Sequence, residues 1–227
     1  MSTKEITYVS MMPKKGTRAE LRQPVVLNSM ASAEVYNHGM GTEVIPKLTY
    51  EEFRTLPGDG KRYELIHGYV HFLPTPSTRH QMILGNLAAS LGNYVDDARL
   101  GMVLFAPLDV RLDADTALQP DLMFISQPRA EIIQENFIAG APDLAVEILL
   151  SNTAAHDRAT KLPLYGEAGI PEVWLIDSQA KTVDVLKLEG KKYLLDAILA
   201  GDQILSSDLF PGWQLPLRDL FDFRGRF

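Results

Sequence analysis

The chain has 227 residues, 46% of them hydrophobic, enough for one domain with a sizeable core. It has no cysteine, which excludes disulfides, thiolate metal sites and cysteine nucleophiles, leaves oxygen or histidine as metal donors, and fits a reducing cytoplasm. A formal net charge of −7 with no basic stripe speaks against a plain nucleic-acid-binding module, but less against a metal nuclease, whose bound cation offsets its acidic ligands locally.

Residues 1–46 carry little periodic pattern, and five of the eight methionines fall within the first 40 positions. They read as a flexible N-terminal arm, with residues 47–227 as the folded domain. Met1-Ser2-Thr3-Lys4-Glu5 has no apolar stretch of the signal-peptide kind, and no later run is long enough to span a bilayer. Thr49-Tyr50-Glu51-Glu52 fits a capping box, predicting a short helix to about Leu56. Arg62–Ile66 and Tyr69–Leu73 read as a strand pair joined at His67-Gly68. Ser77 caps a long helix to about Asp96, with Ile83, Leu84, Leu87, Ala88, Leu91, Tyr94 and Val95 on one face. Strands are expected over Met102–Phe105 and Leu108–Leu112, then a turn at Asp113-Ala114-Asp115-Thr116 and a strand holding Asp121. A short helix is expected over residues 128–136.

The near-continuous apolar run Asp143–Leu150 suits a central strand buried on both faces. Asn152 or Thr153 can cap a following helix, which Pro163 should kink or end and which Gly166 and Gly169 close. Val173–Asp177 is a further strand, and Thr182–Leu188 with Lys191–Leu195 forms a hairpin turning at Glu189-Gly190. The tail, with Pro211-Gly212-Trp213 and Pro216, reads as a wrapped loop and a short last helix. The order implies an α/β fold with a central sheet.

Two acids stand where packing alone does not want them. Asp121 and Glu147 lie beside or inside apolar strands, and a buried carboxylate costs several kcal/mol unless paired or bound to metal. Together with the backbone carbonyl of Ile148 and water they would satisfy a magnesium ion. Lys161, fourteen residues after Glu147, is placed to orient a metal-bound water; on spacing alone, a solvated pair with Asp157 is the simpler reading. Glu64 is either a further acid reaching the metal or a solvent-facing edge carboxylate. Arg79 and His80 are candidates for substrate phosphate, His80 also for a structural role. Asp109 and Asp143 read as strand-end or surface residues, and His156 has no partner that would make a zinc site. There is no Gly-x-Ser-x-Gly, no phosphate-binding glycine loop and no dinucleotide fingerprint.

An ordered set of stretches resembles the Uma-two restriction endonucleases, a branch of the PD-(D/E)XK nuclease superfamily. They are Tyr63–Gly68, Arg79-His80-Gln81, Pro120-Asp121-Leu122, Val146–Leu149, Lys161-Leu162-Pro163-Leu164-Tyr165 and Gly169–Asp177, spread over about residues 47–195. The resemblance implies a restriction-endonuclease-like core, a mixed sheet flanked by helices. It implies a magnesium-dependent site, manganese serving as well, with Asp121 and Glu147 as the paired acids and Glu64 as a supporting glutamate. The superfamily's usual lysine position is Leu149 here, and Lys161 takes its place on the next helix. Leu150-Ser151-Asn152-Thr153 stands where members carry a Ser-Pro-Ser-Thr-like turn. A homodimer acting on DNA is the implied assembly. The alternatives are a non-catalytic dimeric binding protein on the same fold and a hydrolase of small phosphoesters.

Overall fold

The computed structural model describes residues 4–6, 25–27, 33–37, 42–149 and 157–223. Most of the expected arm, the expected helix cap at Asn152 or Thr153, and His156 lie outside them. The chain divides into two compact units, Met1–Thr75 with Arg111–Leu118, and Pro76–Val110 with Gln119–Phe227.

In the first unit, β1 (Lys4–Ile6) pairs with β2 (Val25–Leu27), and β3 (Ala33–Asn37) with β4 (Thr42–Pro46), both antiparallel. Helix α1 (Tyr50–Arg54) starts on the expected capping box: Thr49 Oγ1 accepts from Glu52 N–H, and the Glu52 carboxylate accepts from Thr49 N–H at 2.8 Å. β5 (Arg62–Ile66) and β6 (Tyr69–Leu73) form the expected hairpin. Its two-residue turn has positive φ at both His67 (50°) and Gly68 (84°), the turn whose twist matches antiparallel strands. The strand expected over Leu108–Leu112 shrinks to β8 (Val110–Arg111), because Leu112 N–H turns to the Thr116 carbonyl at 2.9 Å and starts the turn before β9 (Ala117–Leu118).

The second unit holds α2 (Thr78–Asp97), β7 (Gly101–Phe105), β10 (Leu122–Ser126), β11 (Ile138–Ala139) and β12 (Leu144–Leu149). A 3-10 turn, Gln127–Ile132, replaces the helix expected over residues 128–136. Next come a π-helical turn (Asp157–Lys161), α3 (Leu162–Ala168), β13 (Glu172–Asp177), β14 (Thr182–Glu189) and β15 (Lys192–Ala200). The chain finishes with β16 (Ile204–Leu205), β17 (Leu215–Pro216) and α4 (Leu217–Phe221).

Six of these strands make one mixed sheet in the order β15-β14-β13-β12-β10-β7. Only β12 and β13 run parallel within it, which requires a crossover; the π turn and α3 belong to that crossover. β12 is buried along its whole length, as its apolar run predicts.

Strand alternation divides the sheet into two faces. Leu144, Val146, Ile148, Trp174 and Ile176 share a core with Ile83, Leu87, Leu91 and Val95 of α2. The tail closes that core: Trp213 stacks on Trp174 at 5.9 Å, and the Phe210 ring meets Phe124 edge-on at 4.8 Å. Ala145, Glu147 and Leu149 point to the other face. There α3 approaches the β14–β15 hairpin so closely that a Cβ on Gly166 would lie 2.5 Å from the Lys191 carbonyl oxygen. Gly166 therefore works inside the helix rather than closing it; Gly169, at φ 82°, is the residue that ends it. Pro163 also differs from expectation. It sits in the first turn of α3, where a missing N–H costs nothing, so it begins a helix rather than breaking one.

Candidate active site

The register of β10 on β12 pairs Leu122 with Val146. One step further it sets Asp121, the residue just ahead of β10, across from Glu147. A hydrogen bond fixes this juncture: Ile148 N–H donates to Asp121 Oδ2 at 2.7 Å. His80 Nε2 lies 3.0 Å from the same oxygen. His80 is held there by the start of α2, where Ser77 Oγ accepts from its backbone N–H. Asp121 and His80 are both buried, and His80 Nδ1 has no hydrogen-bond partner among the described residues. The helix thus delivers a histidine to the strand-end aspartate, a pairing across 41 positions of sequence.

Glu147 has a different set of partners. Lys161 Nζ lies 3.1 Å from Oε2 and 3.2 Å from Oε1. The Tyr165 hydroxyl donates to Oε1 at 2.5 Å. Glu147 and Lys161 are each only 3% exposed, and Tyr165 is fully buried. The simpler sequence reading of Lys161, a solvated pair with Asp157, is therefore replaced: the lysine turns inward onto the glutamate. The π turn Asp157–Lys161 precedes α3, and such turns are frequent at functional sites.

The other candidates have their own surroundings. Glu64 lies on β5 in the first unit and is completely buried there, so it is not a solvent-facing edge carboxylate. Arg79 is exposed on the first turn of α2 and donates at 3.5 Å to the Ser178 carbonyl. Asp143 is buried rather than superficial: it accepts from Ser126 N–H at 2.7 Å and pairs with Arg129 at 2.8 Å. Asp109 accepts from Gln119 Nε2 at 2.8 Å.

Tyr165 is the site residue that sequence reasoning missed as a role. Its signal was present: Lys161 and Tyr165 stand at i and i+4, the spacing that puts two side chains on one helical face.

A second buried glutamate supplies a contrast. Glu172, at the start of β13, accepts from Trp174 Nε1 at 2.6 Å and from the Ser207 hydroxyl at 3.0 Å. Burial pushes its carboxyl above the ordinary glutamate range, against the opposite pull of those two donors.

Beside the His80 imidazole, which already holds Asp121, the juncture offers oxygen donors, the carboxylates of Asp121 and Glu147. This is the donor chemistry magnesium takes, with water completing its octahedron. Among the described residues no group of three or more His, Asp or Glu side chains is placed to hold a metal, so an ion here would be held by two carboxylates and depend on main-chain and water oxygens. The buried carboxylates fit that role.

A family model described as "Uma2: Putative restriction endonuclease" matches residues 50–218. Among solved structures, a "putative nuclease belonging to DUF820" from Anabaena variabilis superposes with a TM-score of 0.65, covering 77% of this chain and 97% of that one at 22% identity. That likeness shows the fold, a mixed α/β architecture with a central sheet flanked by helices. No curated protein matches the chain. No helix among the described residues is long and apolar enough to cross a membrane.

Proposed function

Because the chain belongs to the Uma2 family of restriction-endonuclease-like proteins, we propose that it is a magnesium-dependent endonuclease that hydrolyses DNA phosphodiester bonds. The family match and the nuclease-like fold support nuclease chemistry. The observation that carries the finer reading is the placement of Lys161 on Glu147, on the strand next to Asp121. Asp121, Glu147 and the Ile148 carbonyl would hold the ion, which when bound polarises a phosphate oxygen and lowers the pKa of a coordinated water.

The chain's own residues then have separate tasks. Asp121 is oriented by Ile148 N–H and His80, so its carboxylate does not swing. Lys161 orients the attacking water and offsets charge gathering on the phosphate. Water oxygen bonds to phosphorus as the bond to the leaving sugar oxygen breaks, and the water's proton ends on the leaving group. Arg79, exposed on α2, is the candidate contact for a neighbouring phosphate. Cutting two strands calls for two copies of the site, which a homodimer would provide.

The test is cleavage of plasmid and single-stranded DNA with magnesium or manganese. Glu147→Ala and Lys161→Ala should each lower the rate at least about 100-fold. Unchanged rates in both variants would remove this site from the chemistry. One observation favours a second reading, a non-catalytic binding protein on the same fold: the Glu147 oxygens are already satisfied from within, by Lys161 and Tyr165. Wild-type protein that cleaves no DNA and binds no metal by calorimetry would favour it.

A further inference from the structure

We infer that Lys161 and a divalent cation compete for the same two oxygens of Glu147, while Tyr165 holds that carboxylate in place for either. The inference rests on the reading of Glu147 as a metal ligand and adds a built-in control on that site.

The geometry divides the work between the two residues. Lys161 Nζ sits almost equidistant from Oε1 and Oε2, at 3.2 and 3.1 Å, so its charge is shared by the whole carboxylate. Tyr165 donates to Oε1, at 2.5 Å. A carboxylate this deeply buried needs a compensating cation, and the lysine supplies one from within the chain. Two cations on one carboxylate repel, more strongly in a buried setting than in water. Lys161 must therefore give up at least one oxygen when a divalent ion takes hold. Its ammonium is a compact charge on a flexible four-carbon stem, which suits it to withdraw without moving the helix. The phenol of Tyr165 is neutral. It adds no repulsion and leaves the anion's charge intact, so it can stay on Oε1 throughout.

Lys161 thus has two tasks in sequence: it compensates Glu147, and once displaced its ammonium is available to the attacking water. Tyr165 is a positioning residue, acting only through Glu147. A purely structural salt bridge would predict that removing the lysine disorders the site and weakens metal binding. Competition predicts the reverse.

The experiment is calorimetric titration with manganese chloride, together with thermal unfolding with and without manganese. It compares wild type, Lys161→Met, Lys161→Gln, Tyr165→Phe and Glu147→Gln. Both Lys161 variants should bind manganese roughly tenfold tighter than wild type, and manganese should raise their melting temperatures more. Tyr165→Phe should bind about tenfold more weakly, as loss of a ligand's outer support does. Glu147→Gln should lose binding at this site. A Lys161 variant that folds only when manganese is present also supports competition, since the ion then replaces the missing charge. Equal or weaker binding by both Lys161 variants, or their remaining unfolded at every manganese concentration, overturns it while leaving the metal site standing. No binding by any protein in the series, wild type included, overturns the metal reading and the inference together.

Discussion

Two glutamates on neighbouring strands of one sheet, Glu147 on β12 and Glu172 on β13, are buried to nearly the same degree, 3% and 4% exposed. Their surroundings differ in kind. Glu147 meets an ammonium and a phenol; Glu172 meets an indole N–H and a serine hydroxyl. Neutral donors satisfy a carboxylate's lone pairs without supplying charge, and burial then pushes the Glu172 carboxyl upward. A lysine supplies charge, and charge is what a metal ion would also supply. Burial of an acid therefore does not mark a functional site by itself. What separates these two acids is the charge that the partner carries. Glu172 ties the start of β13 to the tail through Ser207, whereas Glu147 meets the ammonium of Lys161.

The contrast can be broken by removing one partner at a time. Lys161→Ala should have the largest effect on stability, a loss of about 3–5 kcal/mol in denaturant unfolding, because it strands a buried anion. A loss near zero would mean that Glu147 does not rely on the lysine. Gly166→Ala should cost about 1–3 kcal/mol, since its Cβ would meet the Lys191 carbonyl at 2.5 Å and push away the helix bearing Tyr165. Tyr165→Phe removes a single donor from Glu147 and should cost about 1–2 kcal/mol by the same measurement.

Glu172→Gln should change stability least, and the sign of its pH dependence is informative. The folded-state pKa of Glu172 lies above its unfolded value, so the stability this group contributes is fully present below the unfolded value. It is lost as pH rises through the raised folded value. Glu172→Gln cannot ionise and escapes that loss, so it should gain on wild type as pH rises from about 4 towards neutrality. Unfolding free energies at several pH values would show this, and parallel profiles would contradict it.

Much of the fold was legible because its signals are local. The Thr49–Glu52 capping box, the His67-Gly68 hairpin, the Ser77 cap and the apolar run of β12 each act within a few residues. The misreadings also had local grounds. Pro163 looked like a helix breaker because the residues around it did not reveal that α3 starts at Leu162. The two acids were legible as misfits on apolar strands. The partner of Lys161 was not, since Asp157 stands at equally good helical spacing and only the crossover from β12 to β13 brings the lysine back over Glu147. The His80–Asp121 contact is tertiary in the same way, joining a helix start to a strand end.

The most direct test of the central claim is crystallographic. Crystals of the wild-type protein soaked in manganese, with data collected at the manganese absorption edge, should show an anomalous peak bound by Asp121 and Glu147, with the Lys161 ammonium shifted off at least one Glu147 oxygen. Manganese bound only elsewhere, or no peak while the Lys161–Glu147 pair stays intact at saturating ion, would contradict the account.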